Sequence, residues 1–367
     1  MKDNKERFLF TNLHSYKPNK LVERKTDNGY INYGTDNKYP DYIYDIYENC
    51  ATLQSIINGS AEYTIGDGVI FKEIPESLNR KNSEGDTLED IIMKITYDLW
   101  IFNGFGLQVQ YNTFGQLVEI IYLDFRNIRT NEEGSRIYYN NNWNSLNTND
   151  YESFPRFDIN ANKDKEPSQI FYYKGPRTRG TYPTPDYSAA LISAETQIEI
   201  QKFHYSSIIN NFMVNGVLNF NNATNIDSDI KDKIEKEINN KFSGAENAAK
   251  LLISWNEDKD KAVTFERLVD DNFDKKYEAL AESTRDNLFI SLRAIPVIFG
   301  LSVQTGFNTQ EFKDAFALYN KTAIRPKQKI LETQLKPLFG DIEFKKYNIE
   351  FEDEQDNINI NRQTEEQ

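Results

Sequence analysis

The sequence has one cysteine and two histidines in 367 residues, and these scarcities close off much chemistry before any motif is sought. Cys50 alone cannot form an internal disulfide. It stands among Ile46, Leu53 and Ile57 at helical spacing, where a buried, unreactive thiol is expected. His14 and His204 are far apart in the chain, so a histidine triad or metal cluster would need both to meet. No apolar run approaches the ~18 residues of a membrane span, and mean hydropathy is −0.70. The charged stretch Met1 to Arg7 is not followed by an apolar segment with a cleavage site. No membrane partner is expected, and the residues point to the cytoplasm of the cell that makes the protein. Basic residues are outnumbered: 43 Lys and Arg stand against 57 Asp and Glu, a formal charge of −14. That is the wrong sign for gripping nucleic acid by neutralising phosphates. Phosphate-cradling loops are missing too, since Gly104-Phe105-Gly106 lacks the third glycine of a dinucleotide loop and is read as turn glycines. Carboxylates such as Asp229, Glu235 and Glu237 share helix faces with lysines such as Lys233, which reads as a solvated surface. Nothing selects a catalytic residue, a metal site or a cofactor.

What is present suffices for folded cores: 38% of residues are hydrophobic and 13% aromatic, in a chain long enough for two or three domains. Two long helical faces organise it. Leu191, Ala194, Ile198, Tyr205, Ile208 and Phe212 define one over Ser188 to Phe212. Phe273, Tyr277, Leu280, Thr284, Leu288, Ser291 and Ile295 define the other. Two dozen helical residues span roughly 35 Å, so the pair is expected to form an antiparallel hairpin with its insert at the far end. Within the insert, Gly216 to Phe220 reads as a strand, Asp227-Ser228 as an N-cap, and Ile230, Ile234, Ile238 and Phe242 as a helix stripe. Ser243-Gly244 stops that helix and Lys250 to Trp255 reads as a second strand. Two parallel strands joined by a crossover helix account for this order.

Ahead of the first long helix, residues 1–41 read as an extended polar arm. Helices are expected over Asp41 to Tyr63 and Thr87 to Phe102, the latter opened by a Thr87-x-x-Asp90 capping box, with a strand over Val69 to Lys72 between them. The period then changes to two: Gly106 to Tyr111 and Leu117 to Leu123 form a hairpin. Ile128 to Thr130, Arg136 to Asn140 and Ile170 to Tyr173 add strands, and Asn140 to Glu166 reads as a surface loop. The first 180 residues are thus an α+β domain with a meandering antiparallel sheet. After the second long helix, Ile295-Pro296 breaks the pattern and an irregular loop follows through Phe307. Asn308-x-x-Glu311 opens a third long helix that Pro326 should kink. Strands are expected over Glu343 to Lys346 and Tyr347 to Phe351. The acidic tail, residues 352–367, has the composition of disorder.

Several stretches, taken together, resemble the portal proteins of tailed double-stranded DNA bacteriophages of the long-tailed type. They are Gly180-Thr-Tyr-Pro-Thr-Pro-Asp-Tyr-Ser-Ala-Ala-Leu, Ile208-Ile-Asn-Asn-Phe, Asn215-Gly-Val-Leu and Ser243-Gly-Ala-Glu-Asn-Ala-Ala-Lys-Leu-Leu-Ile-Ser-Trp. Ile295-Pro-Val-Ile-Phe-Gly-Leu, Asn308-Thr-Gln-Glu-Phe and Arg325-Pro-Lys-Gln complete the set. The likeness covers Tyr33 to Leu338 and contains no catalytic signature. It implies a non-enzymatic ring, usually of twelve subunits, at one capsid vertex of a virion, assembled in the host cytoplasm. A wing would comprise residues 41–179 plus strands in 339–351, with a stem at 188–212 and 273–295. A clip would occupy 214–270, a tunnel loop 300–307 and a kinked helix 308–338. Almost no helical crown follows Leu338.

The partners so implied are a DNA duplex passing without sequence specificity during packaging and ejection, the terminase large subunit, a head-tail adaptor and the major capsid protein. By the same likeness, Ser302, Val303, Gln304, Thr305, Gly306 and Phe307 would face the channel. Asp229, Lys233, Lys241, Asn247 and Trp255 would present the clip to its partner, although Trp255 reads somewhat more readily as core packing. An acidic lining fits such a conduit, because it repels phosphates and lets DNA slide. Two other classes remain compatible with the residues: another ring-forming scaffold or connector protein of a virion, and a soluble hydrolase using a carboxylate pair.

Overall fold

The computed structural model describes residues 21–143, 151–176, 180–209, 217–220, 230, 233–234, 252–255, 273–301 and 309–347. They fall into two compact units, Met1–Ile192 with Phe289–Gln367, and Ser193–Leu288.

The first unit begins differently from the polar arm that composition suggests. β1 (Arg24–Lys25) and β2 (Ile31–Asn32) pair as a short antiparallel hairpin, and Tyr30, Ile31 and Tyr33 are buried. The helix expected over 41–63 is two, α1 (Tyr39–Asn49) and α2 (Ala51–Ile65), broken at Cys50, whose φ of −100° and ψ of 100° are extended. The break lets Ile43, Ile46 and Tyr47 of α1 and Leu53, Ile56 and Ile57 of α2 all reach the interior. Cys50 is buried as expected, and burial pushes its thiol pKa up. β3 (Val69–Phe71) follows.

The capping box of α3 (Leu88–Ile101) is present: the Asp90 amide donates to Thr87 Oγ1 at 3.2 Å and the Thr87 amide to Asp90 Oδ2 at 2.8 Å. α3 leads into β4 (Gly104–Tyr111), which turns through residues 112–116 into β5 (Leu117–Leu123). The meandering sheet expected here is two separate sheets. One has the order β5-β4-β9, with β9 at Ser168–Lys174. The other comprises β6 (Ile128–Thr130), β7 (Arg136–Tyr139) and β8 (Glu152–Pro155), so the segment read as a surface loop contains a strand.

Gly104 and Gly106 explain how the two sheets meet. They sit on one face of β4 rather than in a turn, and a Cβ at either position would overlap Phe125 or Ile128. The opposite face carries Phe105, Leu107 and Val109 into the core, where they join Ile91, Ile92, Ile95 and Leu99 of α3. Burial of each such side chain contributes about 1.5–3 kcal/mol.

The third long helix also closes this core. It runs as α6 (Thr309–Tyr319), a π turn over Asn320–Ile324, and α7 (Arg325–Phe339). Leu331, Leu335, Leu338 and Phe339 face α3 and the sheet. β12 (Ile342–Phe344) then pairs antiparallel with β3. Of the C-terminal strands expected over 339–351, residue 339 is helical, 345–347 form no strand, and 348–351 lie outside the described residues.

The second unit holds most of the two long helices. α4 (Leu191–Ile209) follows a single 3-10 turn at Ser188–Ala190, and α5 spans Phe273–Leu292. Residues 210–212 lie outside the described set. The expected end of α5 at Ile295 falls three residues too late. Pro296 restricts Ile295 to an extended conformation (φ −108°, ψ 118°), and Arg293 already leaves the helix at φ 55°. Between the long helices, β10 (Val217–Phe220) and β11 (Leu252–Trp255) pair in parallel, with Val217 opposite Leu252 and Phe220 opposite Trp255. This is the pairing that a strand, crossover and strand insert requires.

Candidate functional site

The resemblance points to the helix pair, its insert, and the segment between Gly300 and Thr309. Two contacts fix the register of the pair. Asn287 Nδ2 donates to Ser193 Oγ at 3.3 Å, and the Phe203 ring stacks on Tyr277 with centroids 5.1 Å apart and planes 4° from parallel. Ten residues forward on α4 are matched by ten residues backward on α5, so the helices are antiparallel over roughly 15 Å of contact. His204 meets the Tyr277 ring edge-on at 6.0 Å.

The inner face of α4 carries Ala194, Gln197 and Ile200 rather than the expected line through Ile198 and Tyr205. Gln197 and Thr284 are buried in it, so the seam is partly polar. Beyond Ile200 the helix emerges: residues 201–205 are all exposed, and Tyr205 is 69% exposed.

Of the docking candidates on the insert, Lys233 is helical and exposed, and Trp255 ends β11 opposite Phe220. Asp229, Lys241 and Asn247 lie outside the described residues. So do all six channel candidates, Ser302, Val303, Gln304, Thr305, Gly306 and Phe307.

What the structure does describe is the footing of that segment. Residues 296–299 form a 3-10 turn closed by Gly300 in the left-handed region (φ 79°). Phe299 packs edge-on against Tyr63, Phe289 and Tyr319, at 6.3, 6.0 and 5.8 Å. On the far side, Phe316 of α6 reaches the same Tyr63 at 5.3 Å. Both ends of the segment are therefore tied to α2, where Ser60 Oγ lies 2.6 Å from the Tyr319 hydroxyl.

The stretch Gly180 to Leu191, quoted for the resemblance, is an anchor. Tyr182 is stacked 4.1 Å from Tyr33 and its hydroxyl donates to the Ile31 carbonyl. The Tyr187 hydroxyl donates to the Ile101 carbonyl at 2.9 Å. Asp186 receives the buried Lys327 ammonium at 2.9 Å, and Asn103 (φ 59°) donates to Asp186 Oδ1 at 3.2 Å. Sequence reasoning did not single out Asn103 or the fully buried Arg129, and quoted Lys327 only within the Arg325-Pro-Lys-Gln stretch. Helix and strand periodicity gives charged residues to the solvent by default, and only spatial neighbours reveal these exceptions.

No protein-family model matches the chain, and no curated protein matches it either. Solved structures do. A chain from the neck of an empty gene transfer agent (GTA) particle, computed with C6 symmetry, is similar at a TM-score of 0.53 and 12% identity, over 84% of this chain and 85% of that one. A chain from the neck of a native GTA particle, computed with C12 symmetry, gives 0.50 and 12% over the same shares. An HK97-family phage portal protein from Corynebacterium diphtheriae gives 0.50 and 9%, over 82% of this chain and 94% of that one. The chain thus has a phage portal fold, of mixed helices and small antiparallel sheets.

Proposed function

We propose that this chain is the subunit of a portal ring, the conduit through which DNA enters and leaves a phage capsid. One observation carries the reading. The antiparallel α4–α5 pair is covered only over part of its length, and residues 201–205 of α4 are exposed in the single chain. A neighbouring pair in a ring would cover them. The fold likeness over 84% of the chain supports the same reading. The C12 symmetry of one similar neck supports twelve subunits, the number implied by the sequence resemblance.

In this reading the α4–α5 pairs line the channel and Ser302 to Phe307 approach the duplex through weak, sequence-independent contacts. The net charge of −14 keeps DNA from adhering. The insert bearing β10 and β11 receives first the terminase large subunit and then the head-tail adaptor. Asp229, Lys233, Lys241, Asn247 and Trp255 are its contact candidates. The wing meets the major capsid protein. No step requires a catalytic group of this chain.

The test is mass photometry of the purified protein with averaged electron micrographs. A closed ring whose opening admits a DNA duplex is expected. A ring too narrow for DNA would favour a scaffold or connector role, and a monomer with hydrolytic activity would end the portal reading.

A further inference from the structure

Four asparagine-glycine pairs occur in the chain, at 28–29, 58–59, 103–104 and 215–216, and the last lies outside the described residues. Such a pair can react with itself, which makes asparagine thermally labile. The glycine amide nitrogen attacks the asparagine side-chain carbonyl carbon and a C–N bond forms. The side-chain nitrogen leaves with the glycine N–H proton as ammonia, and water then opens the succinimide to aspartate or isoaspartate. Glycine favours the attack because no side chain blocks the approach of its backbone.

The fold withholds this reaction at two of the described pairs. Asn58 lies inside α2, its Oδ1 accepts from the Tyr47 hydroxyl at 2.6 Å, and Phe299 packs so closely on Gly59 that a Cβ would overlap it. Asn103 is buried. Its Nδ2 donates to the Thr184 carbonyl at 3.3 Å and to Asp186 Oδ1 at 3.2 Å, its Oδ1 accepts from Lys327 Nζ at 3.4 Å, and Gly104 is paired with Lys174 in the sheet. Reaction at either site needs a helix or strand to open first, and every ~1.4 kcal/mol of opening free energy slows it about tenfold.

Asn28 is held by much less. It stands in the turn between β1 and β2, half-buried, with Gly29 exposed. The turn is closed by the Thr26 amide, which donates to the Tyr30 carbonyl at 3.1 Å, and by the Gly29 amide, which donates to the Thr26 carbonyl at a long 3.3 Å. The Asn28 backbone carbonyl accepts from the Tyr151 hydroxyl at 3.3 Å, but its side-chain amide makes no hydrogen bond among the described residues. Gly29 has φ 89°, and the Tyr138 hydroxyl would lie 3.0 Å from a Cβ there. The geometry that demands glycine after Asn28 thereby supplies the reactive pair.

We propose that Asn28 is a site of spontaneous deamidation in the folded protein, with water as the co-reactant. The product carries an added negative charge beside Asp27. In its isoaspartate form the main chain also gains a methylene between residues 28 and 29, lengthening the turn that the Thr26–Tyr30 bond closes.

The test ages the full-length protein at mildly alkaline pH in water enriched in heavy oxygen, then weighs each asparagine-glycine peptide after proteolysis. Conversion at Asn28 should exceed that at Asn58 and at Asn103 by at least about tenfold, the factor that ~1.4 kcal/mol of opening imposes on the protected pairs. The product should carry heavy oxygen. Asn28→Gln, which must close a larger ring, should abolish conversion at that position. In denaturant the three pairs should convert at similar rates, because the fold alone separates them. Native-state conversion at Asn28 comparable to that at Asn58 and Asn103, or an advantage that persists in denaturant, would overturn the proposal. No readout needs a ring, so the outcome is independent of the portal reading.

Discussion

The first unit and the helix pair are built on opposite uses of polar side chains. Around residue 129, the first unit encloses a guanidinium completely. Arg129 is 0% exposed and its hydrogen bonds go to neutral oxygens: Asn37 Oδ1 at 2.5 Å and the carbonyls of Asn37, Arg126 and Ile128 at 2.7, 2.7 and 2.8 Å. Tyr33 and Trp143 offer it their ring faces at 5.6 and 5.0 Å. Burial pulls its pKa down, yet an arginine stays charged. The α4–α5 seam does the reverse. Its buried polar groups, Ser193, Gln197 and Thr284, are neutral, and the ionisable groups Glu199, Lys202, Glu278 and Glu282 remain in water. A buried charge specifies one arrangement at the risk of large loss, whereas a neutral seam is forgiving. The surroundings of Arg129 are thus specified by a buried charge, and the pair by a neutral seam.

The largest effect expected from this contrast is at Arg129. Arg129→Met should lower the stability of the first unit by about 3–5 kcal/mol, because it strands several buried carbonyls and detaches residues 33–39 from β6. Chemical denaturation followed by aromatic fluorescence checks this. A loss below ~1 kcal/mol would mean that the guanidinium network is replaceable and that the contrast with the seam is false.

Next in size is a pH effect at Asp98. This α3 residue is buried, receives hydrogen bonds from Tyr122 and from the Phe125 backbone, and leaves Oδ2 without a hydrogen-bond partner among the described residues. Burial, with the neighbouring Asp124 charge adding to it, raises its pKa well above the ordinary carboxylate value. The folded chain therefore holds this proton more tightly than the unfolded chain does. Its contribution is complete below the unfolded pKa of about 4 and declines as pH rises toward the folded value. Asp98→Asn keeps the shape and cannot ionise. The stability difference between variant and parent should grow in the variant's favour by up to about 1.4 kcal/mol per pH unit from about pH 5 upward. Urea midpoints at several pH values read it directly, and a difference independent of pH would place the ionised form in the parent.

Which of these features could be read from residues alone follows from the range of the interactions. Local signals were legible: the Thr87/Asp90 box, the 106–123 hairpin, the interruption of the long helix before Pro326 and the parallel pairing of the 217–220 and 252–255 strands. Each depends on neighbours a few residues away or on a short crossover. The break at Cys50 was not legible, since 43, 46, 53 and 57 fit a continuous helical stripe and only the shared core demands two directions. Gly104 and Gly106 looked like turn residues because their true reason is Phe125 and Ile128, which fold back onto β4 from the 3-10 turn at 125–127 and from β6. For the candidate site the divide is similar. The helix pair declared itself by period, while the face it uses was misassigned from Gln197 and Ile200 to Ile198 and Tyr205, because apolar character does not tell a seam within one chain from a surface left open.

That open surface gives the smallest expected effect on the isolated chain and the sharpest use of the comparison. Tyr205 is 69% exposed, so Tyr205→Ser should change the stability of the monomer by no more than about 0.5 kcal/mol. If neighbouring pairs in a ring cover it, the same substitution removes a large amphipathic ring from an interface, where tyrosines are enriched among residues costing more than 1 kcal/mol. The concentration needed for half-assembly should then rise about tenfold or more, since 1.4 kcal/mol is a factor of ten. Denaturation and mass photometry on one preparation separate the two quantities. Equal, negligible changes in both would leave α4 beyond Ile200 facing solvent in the assembly, and the ring contacts would have to lie elsewhere on the chain.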